Sequence, residues 1–153
     1  MSTIAENIKT VRANITRAAE KAGRDPAGVS LVVVTKTVDA GRINEAVRAG
    51  AGILGENRVQ EAKEKYPLVT EKVPWHLIGH LQTNKVKDAV RLFDLIHSVD
   101  TLHLAESLDV EAKKHNKTAR ILLEVNVADE ESKFGLREAD VFAAAREISV
   151  LAN

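Results

Sequence analysis

The sequence contains no cysteine, which excludes a disulfide framework, a thiolate metal site and a cysteine nucleophile. Aromatic residues are also scarce, with three Phe, one Trp and one Tyr among 153 residues. A hydrophobic core must therefore be built mainly from Val, Leu, Ile and Ala.

Neither sign of charge is in excess, because Lys plus Arg and Asp plus Glu each total 22. We therefore expect neither a nucleic-acid partner nor a membrane-surface partner. No apolar run approaches the roughly 20 residues that span a bilayer, and the amino terminus has no signal-peptide pattern. These absences indicate a cytoplasmic globular protein.

The first segment is typical of a long amphipathic helix. Thr3 and Glu6 fit a capping box at its start, and Gly23 fits its carboxyl-terminal end. Apolar residues recur at steps of three and four, which places them on one face. The residues expected on this face are Ile4, Ile8, Val11, Ile15, Ala18 and Ala22.

Short apolar runs then alternate with helical segments. The predicted strands cover residues 29–34, 52–55, 73–78, 95–99 and 119–127. The predicted helices cover residues 40–49, 58–65, 84–92, 102–115 and 138–149. The run 29–34 is almost wholly apolar, which is typical of a strand buried on both faces. This alternation predicts right-handed βαβ units and a parallel sheet.

Two α/β architectures fit five βα units. One is a complete, doubly wound sheet of five strands, and the other is part of a (β/α)8 TIM barrel, which needs at least ~200 residues. No linker or low-complexity stretch interrupts the sequence, so we expect residues 1–153 to form a single domain. In both architectures functional residues follow the carboxyl ends of the strands.

Lys36 follows the first predicted strand, with only Thr35 between them. A lysine that emerges from a partly buried strand end loses hydration, which lowers its pKa and frees the neutral amine to form a Schiff base with an aldehyde cofactor. Alternatively, Lys36 is the first solvated residue after the strand, because long lysine side chains reach water readily. The spacing leaves both interpretations open.

Other polar residues follow the second and third strands. Asn57 is expected to cap the next helix, a role that is compatible with ligand binding. His76 lies within a strand and is expected to be a hydrogen-bonded core side chain. No carboxylate or cysteine cluster joins His76, His80 and His97, so we assign no metal site.

The strand ends carry short motifs that are distinctive when taken together. They are VTKT at 34–37, GENRVQE at 55–61, WHLIGHLQTNK at 75–85, HSVD at 97–100, EVNV at 124–127 and KFG at 133–135. In this order they resemble the pyridoxal phosphate homeostasis proteins, a family that shares the fold of the alanine racemase N-terminal barrel. The resemblance covers the sequence from Ile4 onward.

This resemblance implies a cofactor site at the mouth of a barrel. Pyridoxal 5′-phosphate would be carried as a Schiff base on Lys36, with Asn57 and His80 lining the same mouth and Ser98 and Asn126 as further neighbours. The implied role is a carrier or regulator in the homeostasis of pyridoxal phosphate and amino acids, with pyridoxal-phosphate-dependent enzymes as partners. It assigns no catalytic residue.

Members of this family are longer than the present sequence. Their phosphate-binding loops and the partner of the pyridine nitrogen come from the last strands, which are expected beyond Asn153 and agree with the general barrel rule. We therefore expect an N-terminal helix and five βα units of an eight-unit barrel. The full-length protein is expected to be a monomer, and the 153-residue chain alone is expected to self-associate through its open edge.

Two other functions fit the sequence. An amino-acid racemase of the alanine racemase fold would need a second base across the cofactor, and the single tyrosine, Tyr66, lies near the end of a predicted helix. A complete doubly wound module would bind a ligand without the cofactor. Strand order separates this last alternative from a barrel.

Overall fold

Five βα units follow an N-terminal helix in the computed structural model, which describes residues 3–153. The helices are α1 (Ile4–Lys21), α2 (Ala40–Arg48), α3 (Val59–Lys65), α4 (Val86–Leu92), α5 (Leu102–Lys114) and α6 (Val141–Ile148). The strands are β1 (Val33–Val34), β2 (Leu54–Glu56), β3 (Trp75–Leu77), β4 (Leu95–Val99), β5 (Ile121–Leu123), β6 (Val125–Asn126) and β7 (Leu136–Arg137).

Helix α1 begins with the predicted capping box. The Glu6 N–H donates to the Thr3 hydroxyl at 3.2 Å, and the Thr3 N–H donates to Glu6 Oε2 at 2.7 Å. The apolar face is confirmed at Ile8, which is buried, but it is wrong at Ala18 and Ala22, which are exposed, and Ala19 is buried instead. α1 contacts α2 and the short 3₁₀ helix that follows it, and this partial cover leaves Val11 43% exposed.

The five strands β1 to β5 form one parallel sheet in sequential order. The register pairs Val33 with Leu54 and Leu54 with Trp75, so these residues of β1, β2 and β3 lie side by side across the sheet. A doubly wound sheet reverses its strand order at a switch point, and a barrel wall does not. The doubly wound alternative is therefore wrong, and the predicted parallel sheet is confirmed.

Strand β1 is much shorter than predicted. Residues 29–34 were expected to form a strand buried on both faces, but only Val33 and Val34 pair with β2, and Val34 is 48% exposed. The reason is that β1 lies at the edge of the sheet, where β2 is its one neighbouring strand among residues 3–153. An apolar run alone does not distinguish such an edge from a central strand.

The predicted strand 119–127 divides in two. Leu123 pairs with Val99 and the Glu124 N–H still donates to the Val99 carbonyl, but β4 ends there and offers no further partner. Val125 therefore pairs with Leu136 of β7, a strand that the sequence did not predict. The predicted helix 138–149 is also divided, into a 3₁₀ turn at Glu138–Asp140 and the helix α6.

The core lies between the sheet and the helices. Aliphatic side chains dominate it, as the composition predicts, although Trp75 of β3 is its largest member at 2% exposure. The Tyr66 ring packs against Trp75 with 5.4 Å between ring centroids. Within residues 3–153, none of the helices combines the length and the apolar character that a membrane span requires.

Candidate functional site

The carboxyl ends of the parallel strands meet along one edge of the sheet. β1 continues into Thr35 and Lys36, β2 ends at Glu56 and is followed by Asn57, and β3 is followed by the loop that carries His80. Because β1, β2 and β3 are adjacent, the three sequence-predicted residues share this edge. Enzymes and binding proteins with parallel barrels place their sites here.

Lys36 lies in a turn and is exposed, which matches its interpretation as the first solvated residue after the strand. Within the described chain, no hydrogen bond or ion pair engages its amine. A primary amine without a partner, held at this edge, is chemically suited to condense with an aldehyde.

The two neighbours of Lys36 are held firmly. Thr35 is 2% exposed, and its hydroxyl donates to Glu56 Oε1 at 2.7 Å while its N–H donates to the Gly55 carbonyl at 2.9 Å. Thr37 has a φ of +61°, a left-handed conformation that is unfavourable for a β-branched residue. The Thr37 N–H donates to the Glu61 carboxylate.

A charged cluster of Glu56, Glu61 and Lys65 lies behind this turn. Lys65 Nζ donates to the Thr35 carbonyl at 2.7 Å, to Glu56 Oε1 at 3.0 Å and to the Glu61 carboxylate. Burial alone would lower the pKa of Lys65, but the hydrogen bonds to Glu61 and Glu56 outweigh it and raise that pKa above its ordinary 10.5. The hydrogen bond from Lys65 also lowers the pKa of Glu61, against an opposing effect of burial.

Asn57 does not cap α3, so that prediction is wrong. The N-cap of α3 is Arg58, which makes no side-chain capping bond. The Asn57 backbone instead packs against Gly79, where an added Cβ would lie only 2.4 Å from the Asn57 carbonyl oxygen. The Ser98 hydroxyl then donates to the Gly79 carbonyl at 2.6 Å, which ties the ends of β2, β3 and β4 together.

The His80 side chain contacts both an acidic residue and an aromatic ring. Its Nδ1 lies 3.4 Å from Asp100 Oδ2, and its ring stacks on Phe134 with 3.7 Å between centroids and 11° between planes. Phe134 belongs to the β6–β7 loop and is 56% exposed. The stack brings this loop over the end of β3.

Asn126 holds the β6–β7 loop in shape. Its Nδ2 donates to the Glu130 carbonyl at 2.9 Å, and its Oδ1 accepts from the Glu130 N–H at 3.3 Å. Its amide is therefore engaged within its own loop. Ser98, the other expected neighbour, is 2% exposed and is engaged with Gly79.

His76 is a hydrogen-bonded core residue, as predicted. Its Nδ1 lies 3.0 Å from Nε2 of His97 on the neighbouring strand, and one of the two nitrogens donates. Burial lowers the pKa of both rings, and the proximity of His97 lowers that of His76 further. Among residues 3–153, no group of three or more His, Asp or Glu side chains is arranged to hold a metal ion.

Sequence reasoning missed the roles of Glu61, Lys65 and Phe134. Glu61 and Lys65 lie four residues apart in a helix, an order of charges that favours a pair and was a usable signal. The stack of Phe134 on His80 had no such signal, because 54 residues separate them in the sequence and a separate pair of strands brings them together.

Comparisons with known proteins identify relatives of the whole chain. The family model of the alanine racemase N-terminal domain matches residues 7–153. The pyridoxal phosphate homeostasis protein of Pseudomonas aeruginosa is 42% identical over 154 aligned positions, which cover 100% of this chain and 67% of that protein. The chain belongs to the pyridoxal phosphate homeostasis protein family. The Escherichia coli member is 38% identical over 151 positions, covering 95% of this chain and 64% of its own.

Solved structures confirm the barrel-type fold of this family member. PipY of Synechococcus elongatus, solved with pyridoxal phosphate bound, has a TM-score of 0.82 and 35% identity and is matched over 98% of this chain and 66% of its own. A protein of Bifidobacterium adolescentis has a TM-score of 0.90 at 37% identity, with 97% and 64% covered. Alanine racemase of Clostridium difficile, with a TM-score of 0.69 and 15% identity over 96% of this chain and 37% of its own, shows the fold alone.

These matches also locate the chain within its relatives. The chain spans about two thirds of the length of the family members that it matches. The five βα units therefore correspond to part of a longer protein in each relative.

Proposed function

We propose that this chain binds pyridoxal 5′-phosphate covalently through Lys36. The observation that carries the proposal is the Lys36 amine, exposed and without a partner in residues 3–153, at the strand edge where sites of this fold lie. The structure of PipY with the cofactor bound, at 35% identity, supports it.

The chemistry asked of Lys36 is a condensation. The neutral amine nitrogen attacks the aldehyde carbon, a C=N bond replaces the C=O bond, and one water molecule leaves with the carbonyl oxygen. When bound, the cofactor supplies an electron sink, and the protein supplies orientation and control of solvent access. We assign Asn57 and His80 to the same mouth, where an amide and an imidazole offer hydrogen bonds to a polar ligand.

The biological role follows from the family name of the relatives. We propose that the chain acts in the homeostasis of pyridoxal phosphate. We also propose that residues 1–153 form the N-terminal portion of a (β/α)8 barrel. Delivery of cofactor to pyridoxal-phosphate-dependent enzymes, a cytoplasmic location and a monomeric full-length protein stay predictions.

The test is covalent trapping with peptide mapping. One equivalent of pyridoxal phosphate is added, the C=N bond is reduced with borohydride, and the modified lysines are identified by mass spectrometry. We expect Lys36 to carry most of the label. Lys36→Arg should lose most of the label, because the guanidinium of arginine does not form this Schiff base.

Lys72 provides the matched control. It is exposed and lies before β3, at the opposite edge of the sheet, so Lys72→Arg should leave labelling unchanged. A label spread evenly over exposed lysines, with Lys72 modified as readily as Lys36, would show that the assignment of Lys36 is wrong.

A further inference from the structure

Both peptide groups that flank Lys36 are fixed by side chains outside the turn. The carbonyl of the preceding peptide, Thr35 O, accepts a hydrogen bond from Lys65 Nζ at 2.7 Å. The N–H of the following peptide, on Thr37, donates to the Glu61 carboxylate. Glu61 and Lys65 belong to one helix, α3, and also pair with each other.

The conformation of the turn needs this support. Thr37 is left-handed at a φ of +61°, and for a β-branched residue such a conformation persists only where the surroundings enforce it. The bond to Glu61 supplies that enforcement on the carboxyl side of Lys36. On the amino side, the buried Thr35 hydroxyl is bonded to Glu56, which belongs to the same cluster.

Lys65 holds the cluster together electrostatically. Its ammonium donates to three oxygens, and its side chain is 12% exposed. Glu56 is completely buried and Glu61 is 24% exposed at the side chain. Without Lys65, two carboxylates would face each other with little water to screen them, and one of them would have to move or take up a proton.

We propose that Glu61 and Lys65 are positioning residues that clamp the backbone on both sides of Lys36 and leave its amine free to react. This inference rests on the proposed function, since it assigns what sets the geometry of the cofactor-binding lysine. Neither residue is asked to touch the cofactor. The clamp fixes where the Lys36 side chain starts, so it determines how often the amine is aligned for attack.

The experiment compares Lys65→Met and Glu61→Gln with the matched control Lys63→Met. Lys63 is on the same helix, but its ion pair with Asp88 is at the surface, with side-chain exposures of 53% and 30%. Two quantities are measured well below the unfolding midpoint of each variant. They are hydrogen exchange of the Thr37 amide without cofactor, and the rate of borohydride-trapped labelling of Lys36 by pyridoxal phosphate.

In Lys65→Met, we expect Thr37 exchange to accelerate and Lys36 labelling to slow, each by about tenfold, the ratio expected for one lost charge-assisted hydrogen bond. Lys65→Arg should restore part of both effects, and Lys63→Met should match the wild type. Glu61→Gln keeps the Lys65–Glu56 pair and should show smaller changes in the same direction. If Lys65→Met does not fold, Glu61→Gln alone tests the positioning role.

The outcomes separate the clamp from the function. If wild-type protein is not labelled at Lys36 while Thr37 exchange accelerates in the variants, the clamp stands and the proposed function is wrong. If the wild type is labelled but both folded variants label Lys36 at the wild-type rate, the positioning role is overturned, whatever happens to Thr37 exchange.

Discussion

Gly79 is the residue at which three strand ends meet. An added Cβ would lie 2.4 Å from the Asn57 carbonyl oxygen and 2.9 Å from the Asn57 Cα. The Gly79 carbonyl also accepts a hydrogen bond from the Ser98 hydroxyl. Such distances are shorter than real Cβ contacts, and the atoms in the way are backbone atoms that cannot rotate aside. A glycine here lets two loops of the candidate site approach closely.

Gly79→Ala should therefore destabilise the protein by about 1–3 kcal/mol, the usual cost of forcing extra atoms into a filled space. The free energy of unfolding is measured by urea titration. Gly52→Ala is the matched control, because an added Cβ there meets nothing within 4 Å. Equal stabilities of the two variants would contradict the close approach between Gly79 and Asn57.

At the scale of elements, β3 and β4 are joined by a histidine pair. The pKa values of His76 and His97 both lie below the ordinary 6.5, mainly because burial disfavours the charged rings. Asp94 opposes this shift for His76, while Arg120 adds to it. The folded protein therefore binds fewer protons at these rings than the unfolded chain does as the pH falls through 6.5.

This difference predicts a pH dependence of stability. A folded pKa below the unfolded value means that the stabilisation is fully present above pH 6.5 and is lost as the pH falls toward the folded pKa. The double variant His76→Gln, His97→Gln should lose less stability between pH 7.5 and about 5 than the wild type does. Urea unfolding at each pH measures the slope.

His103 supplies the control for this slope. It is exposed on α5, so His103→Gln should follow the wild-type pH dependence. A double variant with an unchanged slope would show that the pair on β3 and β4 does not govern stability in this range.

At the scale of the whole molecule, the sheet is open within residues 3–153. β1 and β5 each have a neighbour on one side only. Large apolar side chains are exposed on β1, β5 and α6, namely Val34 at 48%, Leu122 at 48% and Phe142 at 84%. Unpaired strand edges and exposed apolar surface both favour association of chains.

The 153-residue chain is accordingly expected to sediment as a dimer or larger assembly at micromolar concentration. Val34→Lys should shift it toward the monomer, because a charged side chain on an edge strand opposes pairing with a second chain. Ala13→Lys adds the same charge at an exposed position of α1 and should have little effect. A wild-type chain that sediments as a monomer at all concentrations would contradict this prediction.

Most of the element order was predictable from the sequence because it depends on neighbours along the chain. The capping box of α1 lies within four residues, and the alternation of apolar runs with helical segments identifies all five βα units. The position of Lys36 in the turn after β1 also follows from this local pattern. Its assignment as the cofactor-binding lysine is a family inference that the labelling experiment tests.

The tertiary structure decided which residues are paired with which, because pairing depends on elements far apart in sequence. β1 is short since only β2 lies beside it, and residues 119–127 divide where β4 ends. The clamp around Lys36 joins the end of β1 to α3, about one βα unit later in the sequence. The spacing of apolar residues along the sequence does not predict a contact between these two elements. The sequence by itself thus determined the order of the elements and the chemistry at each strand end, and only the folded sheet determined how those ends hold one another.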